Sequence, residues 1–387
     1  MQLRNGNRQL MRGMNRALVL RSIRDQGPIA RSEIARVAQL SPATVSEITA
    51  LLIDEGLVYE CEAGVSTGGR RPILLALNQD AGLVVGVKLT ESQLIVALTN
   101  LGAQVVDQHV AALGEDRSPA TVATALAQNI HTLQRRHPDR RIFGIGLGLA
   151  GAIDRANGIC RFSPFLQWRD VPIGPLLRER LRLPVVVEND VNTLTLAEQW
   201  FGSGQGEPDF LVVTVGRGVG MGMVLNGRLY RGGHGSGGEL GHLTMLPDGP
   251  RCACGKHGCL EALVAEPALL QRLRIALGQE LTLDAAVALV QQGDITARGI
   301  FTAAARTLGL ALAHAVNLFN PPLIIIGGEG VRGLMPVFET LRETLAAHCF
   351  NGFFTDLRLV AEPWGDDAWA RGAASLMLEE MFHGFEA

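Results

Sequence analysis

Three absences narrow the classes to which this sequence of 387 residues can belong. It has no uninterrupted apolar run near the ~20 residues that a membrane-spanning helix needs, so we predict no contact with a membrane. Its N-terminal arginines are not followed by an apolar segment, so no secretory signal is predicted. Its six cysteines are scattered singly apart from one cluster, which favours a reducing cytoplasm over a disulfide scaffold.

The charge is small overall but uneven along the chain. The formal net charge is −3. Residues 1–77 hold ten arginines and seven acidic residues, a balance of +3, so the remaining residues carry −6. A basic N-terminal segment joined to an acidic body is typical of a nucleic-acid-binding module attached to a second function.

A cluster of soft metal ligands lies beyond the middle of the chain. Cys252, Cys254 and Cys259 follow His242 closely, and glycines and prolines between them supply tight turns. Three thiolates and one imidazole form a tetrahedral donor set that suits Zn²⁺. Four protein ligands leave no open coordination position, so we predict one structural zinc per chain. His257 is an alternative to His242 as the nitrogen ligand.

The same segment resembles a known family. Glu-x-Gly-His at 239–242, followed by Cys-x-Cys-Gly-x-x-Gly-Cys-Leu-Glu at 252–261, is similar to the signature of the ROK family of repressors, open reading frames and sugar kinases. The resemblance covers nearly the whole chain. It implies that the histidine and the three cysteines hold a structural zinc and that Glu239 and Glu261 contact a sugar.

The first 80 residues have the pattern of a winged helix-turn-helix. Three helices with apolar inner faces precede two short strands, and Ser41 and Pro42 are favoured residues for the start of the third helix. A helical oligomerisation module with solvated arginines is the alternative interpretation. We predict helices over 15–26, 31–38 and 42–55, and strands over 57–59 and 73–77.

The predicted DNA contacts lie on the third helix and in the wing. The outer face of the helix carries small or polar residues that can approach base edges in a major groove. The glycine-rich loop between the strands carries two arginines that can reach a minor groove or the phosphate backbone. The predicted contacts are Ala43, Thr44, Ser46, Glu47, Arg70 and Arg71.

The body, from residue 81 onward, shows an internal duplication. Two β-β-β-α units in series predict an α/β architecture of two lobes with a cleft between them, as in the actin-like (ribonuclease H-like, duplicated) sugar kinase fold. We predict a first lobe over 81–190 and a second lobe over 191–367 that carries the zinc loop. The return of 368–387 to the first lobe is implied by the resemblance.

A polar cluster follows a buried strand at 185–188. Asn189 and Asp190 offer an amide and a carboxylate that suit the vicinal hydroxyls of a sugar. An Asx turn that caps the next helix is the alternative for Asp190. The resemblance implies that both residues bind sugar and that a glycine turn at 148–151 lies under the sugar ring. The predicted sugar pocket comprises Gly151, Asn189, Asp190, Glu239, His242 and Glu261.

The residues that would hold a nucleotide depart from the kinase pattern. The resemblance aligns the phosphate-binding turn of ROK kinases with 86–92, where Lys88 takes the acidic position and Glu91 replaces a glycine. Bulky side chains and a carboxylate there would obstruct and repel a triphosphate. Arg217 also interrupts the second glycine loop at 216–222. We therefore predict no catalytic residue, with Asp190 as a vestigial base.

These observations together predict a cytoplasmic transcriptional regulator, a repressor of carbohydrate-utilisation genes. Its expected partners are a palindromic double-stranded DNA operator, a sugar or sugar phosphate, and further copies of the chain in a homodimer or tetramer. One alternative is a sugar kinase fused to a DNA-binding domain. The other is a regulator whose pocket is vestigial and whose signal is a protein partner.

Overall fold

Three helices and a small sheet form the N-terminal unit of the computed structural model, which describes residues 8–61, 72–233, 235–362, 364 and 366–383. The sheet order β1-β3-β2 makes the unit a winged helix-turn-helix, as predicted. Strand β1 was not predicted, because two residues are too short to show a strand period. The elements are α1 (Arg8–Gln26), β1 (Ile29–Ala30), α2 (Arg31–Ala38), α3 (Pro42–Asp54), β2 (Val58–Cys61) and β3 (Leu74–Leu77).

The next part of the chain forms a five-stranded sheet in the order β11-β7-β4-β5-β6. A separate three-stranded antiparallel sheet, β8–β10, lies in a stretch where the sequence indicated no elements. The elements are β4 (Leu83–Leu89), β5 (Gln93–Thr99), β6 (Val105–Ala112), α4 (Pro119–Arg136), β7 (Ile142–Leu149), β8 (Ala152–Asp154), β9 (Ile159–Ser163), β10 (Trp168–Val171), α5 (Ile173–Leu181), β11 (Val185–Asn189) and α6 (Asp190–Phe201).

A second five-stranded sheet follows, in the order β14-β13-β12-β15-β16. Its elements are β12 (Phe210–Val215), β13 (Val219–Leu225), β14 (Arg228–Leu229), α7 (Glu261–Val264), α8 (Glu266–Leu277), α9 (Leu283–Gln291), α10 (Ile295–Phe319), β15 (Leu323–Gly327), α11 (Val331–Leu334), α12 (Phe338–His348), β16 (Arg358–Glu362) and α13 (Asp366–His383). Short 3₁₀ turns at Leu240–His242 and Met335–Val337 complete the set.

The two sheets repeat one design. In each, the first strand (β4 or β12) pairs antiparallel with the second, which pairs antiparallel with the third. On its other side the first strand pairs parallel with a later strand, and one more parallel strand follows. The predicted duplication of the α/β architecture is confirmed by this shared order and direction.

Helices α6 and α13 pack closely because glycines leave room for them. Helix α13 contacts β4, β7 and α6, and α6 contacts strands of both five-stranded sheets. A Cβ atom at Gly146 of β7 would lie 1.8 Å from the Ala373 carbonyl oxygen, and one at Gly222 of β13 would lie 1.9 Å from Thr195 Oγ1. Any larger residue at these two positions would therefore force the helices away from the sheets.

Helix α10 is long and apolar enough to cross a membrane by length and composition alone. More than half of its most apolar window is buried within the protein. Phe301, Leu308 and Leu312 of this helix belong to the core of the second sheet and its helices. Helix α10 is therefore the central core helix of this lobe.

Glu198, near the end of α6, is a carboxyl group in the interior and is 6% exposed. Burial raises the pKa of Glu198 to about 7, and the nearby Glu362 carboxylate adds to the rise. A hydrogen bond from the Ser203 N–H, at 2.9 Å, opposes it. The folded protein consequently holds the Glu198 proton more tightly than the unfolded chain does.

We expect Glu198→Gln to remove part of the pH dependence of stability. An unfolded glutamic acid has a pKa of about 4.3, so the Glu198 contribution is present below that pH and is lost as pH rises to about 7. Glutamine does not titrate, so the variant should lose less stability than the parent between pH 5 and pH 8, by on the order of 2 kcal/mol. Melting temperatures at the two pH values measure this, with the exposed Glu115→Gln as control. Equal losses in variant and parent would contradict the assignment.

Candidate metal and ligand site

The four predicted metal ligands come together in one loop. The ligand atoms of His242, Cys252, Cys254 and Cys259 all lie within 4.8 Å of one another. The Cys252 sulfur lies 3.6 Å from His242 Nδ1, and the Cys254 and Cys259 sulfurs are 3.7 Å apart. A tetrahedral zinc with Zn–S bonds of ~2.3 Å would separate its sulfur ligands by about 3.8 Å. The cluster therefore has the size and donor chemistry to hold such an ion.

His257, the alternative nitrogen ligand, is used elsewhere. Its Nδ1 lies 3.2 Å from the Gly249 carbonyl oxygen, and its side chain is not among the four grouped ligands. The loop backbone is closed by hydrogen bonds from Cys252 N–H to the Lys256 carbonyl at 2.8 Å and from Gly258 N–H to the Pro250 carbonyl at 2.9 Å. His242 is thus the histidine that the fold brings to the thiols.

The six residues of the predicted sugar pocket line one cavity of about 450 Å³ between the two lobes. A volume of this size is ordinary for a small-molecule site. The wall also includes Phe162 and Phe165 from the three-stranded sheet and its hairpin. The predicted pocket residues on the wall are Gly151, Asn189, Asp190, Glu239, His242 and Glu261.

The sequence left open whether Asp190 caps the following helix or faces a ligand, and the structure shows that Asn189 is the capping residue. Asn189 Oδ1 accepts hydrogen bonds from the Val191 and Asn192 N–H groups at 2.9 and 3.2 Å, so Asn189 is the residue that caps α6. Its Nδ2 donates to the Gly151 carbonyl oxygen at 3.2 Å and fixes the glycine turn beside it. Burial raises the pKa of the Asp190 carboxyl, and the nearby Lys88 ammonium opposes that rise.

The metal loop supplies the opposite wall of the cavity. Because His242 directs Nδ1 toward Cys252, its Nε2 is left on the side of Glu239, 3.8 Å from Oε2. Glu261 Oε2 accepts a hydrogen bond from the Val219 N–H at 3.1 Å, which ties the loop to β13. Burial raises the pKa of Glu239, and His242 opposes this rise. A metal bound by the loop would therefore hold both glutamates in place.

Two ion pairs in the cavity wall join the lobes. Lys88 is 8% exposed, and its Nζ lies 3.2 Å from Glu329 Oε1 and 3.9 Å from the centre of the Trp369 ring. Arg217 Nη2 lies 2.5 Å from Glu91 Oε1. Both pairs join a residue in or just after β4 to a second-lobe loop. Lys88, Glu91 and Arg217 are the predicted departures from the kinase pattern. Glu91 and Arg217 pair with each other, and Lys88 pairs with Glu329.

A buried charge cluster behind the cavity was missed by sequence reasoning. Glu188 is 1% exposed, and its Oε2 lies 2.6 Å from Arg231 Nε and 3.4 Å from Arg155 Nη1. Its Oε1 accepts hydrogen bonds from the Asn189 N–H and from Asn192 Nδ2. The signal in the sequence was a glutamate directly after three valines in a buried strand, because a buried carboxylate needs cationic partners. The sequence does not identify these partners, since they lie far from Glu188 along the chain.

Most of the predicted DNA contacts lie on the outer face of α3. Ala43, Ser46 and Glu47 are exposed. Thr44 is half-buried, and its Oγ1 lies 2.8 Å from Ser41 Oγ in the cap of the helix. Arg70 and Arg71 lie outside the described residues.

Arg31, at the start of α2, was missed by sequence reasoning. Its Nε donates to Thr49 Oγ1 at 3.1 Å, and its Nη2 lies 2.9 Å from Glu60 Oε1. Arg31 therefore ties α3 to the wing strand β2.

Comparison with protein families divides the chain in the same way. Residues 84–380 match the ROK family, and residues 14–60 match the MarR family. The chain is 32% identical to a xylose repressor of Caldicellulosiruptor bescii, over 97% of this chain and 98% of that protein. It is 34% identical to the DNA-binding transcriptional dual regulator NagC of Escherichia coli K12, over 98% of this chain and 96% of that protein.

Solved structures include both regulators and kinases. A ROK family transcriptional regulator, a homologue of the E. coli Mlc protein, superposes with a TM-score of 0.87 and 28% identity, over 97% of each chain. A ROK hexokinase from Thermus thermophilus superposes with a TM-score of 0.67 and 34% identity, over 76% of this chain and 97% of that one. The regulator therefore matches nearly the whole chain, whereas the kinase matches about three quarters of it.

We expect Glu188→Ala to destabilise the protein by about 2 kcal/mol, because it removes the most buried carboxylate bound to Arg155 and Arg231 and leaves Glu379 and Glu380 of α13 to balance their charge. Glu339→Ala is the matched control, since Glu339 forms an exposed pair with Arg342 whose loss should change stability by less than about 1 kcal/mol. Thermal unfolding of the two variants measures the difference. Similar melting temperatures would show that the buried cluster is no more important than a surface pair.

Proposed function

This chain belongs to the ROK family, and from that premise we propose that it is a sugar-responsive transcriptional repressor of carbohydrate-utilisation genes. One observation carries the proposal: a winged helix-turn-helix with an exposed third helix is packed on a two-lobed body whose cavity is lined by acidic and amide groups. Relatives that match nearly the whole chain are named as repressors and regulators.

The ligand that suits the cavity is a sugar or sugar phosphate. Asp190, Glu239 and Glu261 place three carboxyl groups around one cavity, where they can accept hydrogen bonds from several hydroxyl groups. Phe162 and Phe165 add apolar surface on another side of the cavity. Dense polar contacts beside an apolar wall are the usual composition of a selective small-molecule site.

The ion that suits the thiol cluster is zinc, in a structural role. Three sulfur ligands and one nitrogen ligand at tetrahedral spacing favour this ion over the hard cations, which prefer oxygen ligands. His242, Cys252, Cys254 and Cys259 would hold it, with no open position for catalysis.

DNA is the proposed partner of the N-terminal unit, over about residues 1–80. Ala43, Ser46 and Glu47 are exposed where a recognition helix meets a major groove. A palindromic operator requires two copies of this helix, so we propose a homodimer or tetramer that acts on DNA in the cytoplasm. We propose that the body consists of a first lobe over 81–190, to which 368–387 return, and a second lobe over 191–367.

A sugar kinase is the second candidate function. The 34% identity to a ROK hexokinase structure and the presence of Asp190 favour it. Against it, the Lys88–Glu329 and Arg217–Glu91 pairs line the cavity at the turns that the resemblance aligns with the glycine loops of ROK kinases. Phosphoryl transfer needs that space for the metal-bound triphosphate.

We expect purified protein to contain one zinc per chain, measured by elemental analysis. Cys259→Ser should lose most of this zinc and lower the melting temperature, because it removes one of the four ligands and leaves the others unconstrained. Cys349→Ser, a change at a half-buried cysteine outside the cluster, should keep the zinc. Unchelated parent protein without zinc, or full zinc in Cys259→Ser, would contradict the assignment.

We expect a sugar to change the affinity of the protein for its operator. A duplex selected from random DNA by the purified protein serves as the operator, and binding is followed by fluorescence anisotropy with a panel of free and phosphorylated sugars. At least one sugar should shift the Kd by tenfold or more. Glu239→Gln should weaken this response and leave the sugar-free Kd unchanged, because Glu239 lies in the cavity and not on the DNA-binding face.

Asp248→Asn is the control for that variant, since Asp248 is an exposed acid on the same loop outside the cavity wall. It should respond to sugar like the parent. Failure to select any duplex would exclude the regulator. The kinase function would be supported instead if a sugar of the same panel caused release of ADP from ATP but did not change DNA binding.

A further inference from the structure

Arg24 lies where three parts of the protein meet. It stands in the last turns of α1, in the DNA-binding unit. Its guanidinium carbon lies 4.0 Å from the ring centre of Trp200, near the end of α6, and 4.9 Å from that of Phe382 on α13. The two ring centres are 6.0 Å apart. One cation thus contacts the rings of both body helices at once.

The surroundings of Arg24 make its position sensitive to those rings. Its side chain is 19% exposed, and its Nη2 pairs with Asp25 at 2.6 Å. Its Nη1 is shielded from solvent and has no hydrogen-bond partner among the described residues. A buried N–H group without an acceptor is costly, so the aromatic faces are the main compensation for this end of the guanidinium.

The apolar packing around Arg24 continues from the DNA-binding unit into the body. Leu20 and Ile23 of α1 belong to the same buried cluster as Leu196 of α6 and Met377 of α13. Packed interfaces of this kind shift between discrete arrangements and do not deform continuously. Helix α13, which contacts both α6 and α1, gives a displacement in the body a route to α1.

The other end of α6 lies at the cavity. The helix begins at Asp190, which lines the cavity, and is capped by Asn189, which also holds the Gly151 turn. Its 12 residues span about 18 Å at ~1.5 Å per residue. The single rigid helix α6 therefore has a proposed sugar ligand at its start and the Arg24 contact at its end.

We infer that α6 transmits sugar occupancy to the DNA-binding unit, and that Arg24 is the positioning residue that couples Trp200 and Phe382 to α1. This inference rests on the proposed function, since it needs a sugar in the cavity and DNA on α3. A sugar that binds one arrangement of α6 better than the other shifts the DNA-binding unit between two placements.

Arg24→Met tests this inference, because methionine keeps the apolar stem and removes the cation. Three quantities are measured on the full chain: the sugar Kd without DNA by calorimetry, the operator Kd without sugar, and the operator Kd with saturating sugar. The first two should stay within about threefold of the parent. The ratio of the two operator Kd values should fall from tenfold or more to within about twofold of unity.

Arg342→Met is the matched control, because Arg342 lies over the Phe354 ring at 5.4 Å in the second lobe, away from the junction. It should keep the parental ratio. Trp200→Phe keeps a ring under Arg24 and should reduce the ratio by less than Arg24→Met does. If Arg24→Met fails to fold, Trp200→Phe is compared with the parent: a lowered ratio supports the inference, and the parental ratio overturns it.

Hydrogen exchange of α1 supplies a second readout that does not involve DNA. Sugar should change amide exchange over 8–26 in the parent but not in Arg24→Met. A parental ratio in Arg24→Met, or an α1 that does not respond to bound sugar in the parent, overturns the inference and leaves the proposed function standing. A parent that binds no sugar overturns both.

Discussion

The close packing of α6 between the two five-stranded sheets is the constraint on which the rest of the structure depends. The helix contacts β7 and β11 on one side and β12 and β13 on the other, with α13 beside it. This is possible because Gly222 puts no side chain where Thr195 lies, just as Gly146 admits α13. The cavity opens at the start of α6 and the DNA-binding unit packs near its end, so one helix relates the two proposed functions of the chain.

The cavity wall carries two chemically different groups of residues. In one group, the thiol-rich loop presents Glu239 and Glu261, and its own fold leaves room for a metal among the sulfurs. In the other group, Lys88 pairs with Glu329 and Arg217 pairs with Glu91 across the lobes. Glu329 and Glu91, already paired with these two cations, compete with any phosphate for them.

Much of the fold could be predicted from local patterns in the sequence. Long apolar strands, glycine turns and the Ser41-Pro42 cap are signals contained in a few neighbouring residues, and the spacing of Cys252, Cys254 and Cys259 predicts a metal cluster within one short loop. β1 and the strands β8–β10 are too short to show a clear alternation of apolar and polar residues in the sequence. The partners of Glu188 and the rings around Arg24 could not be predicted, because they are brought together only by tertiary packing.

The most direct test of this account is a crystal structure of the zinc-loaded protein with the sugar that changes its DNA affinity. The account predicts one zinc on His242, Cys252, Cys254 and Cys259, and a sugar in the cavity with its hydroxyl groups hydrogen-bonded to Asp190, Glu239 and Glu261. A sugar bound outside the space between the lobes, or glutamates turned away from it, would contradict the account.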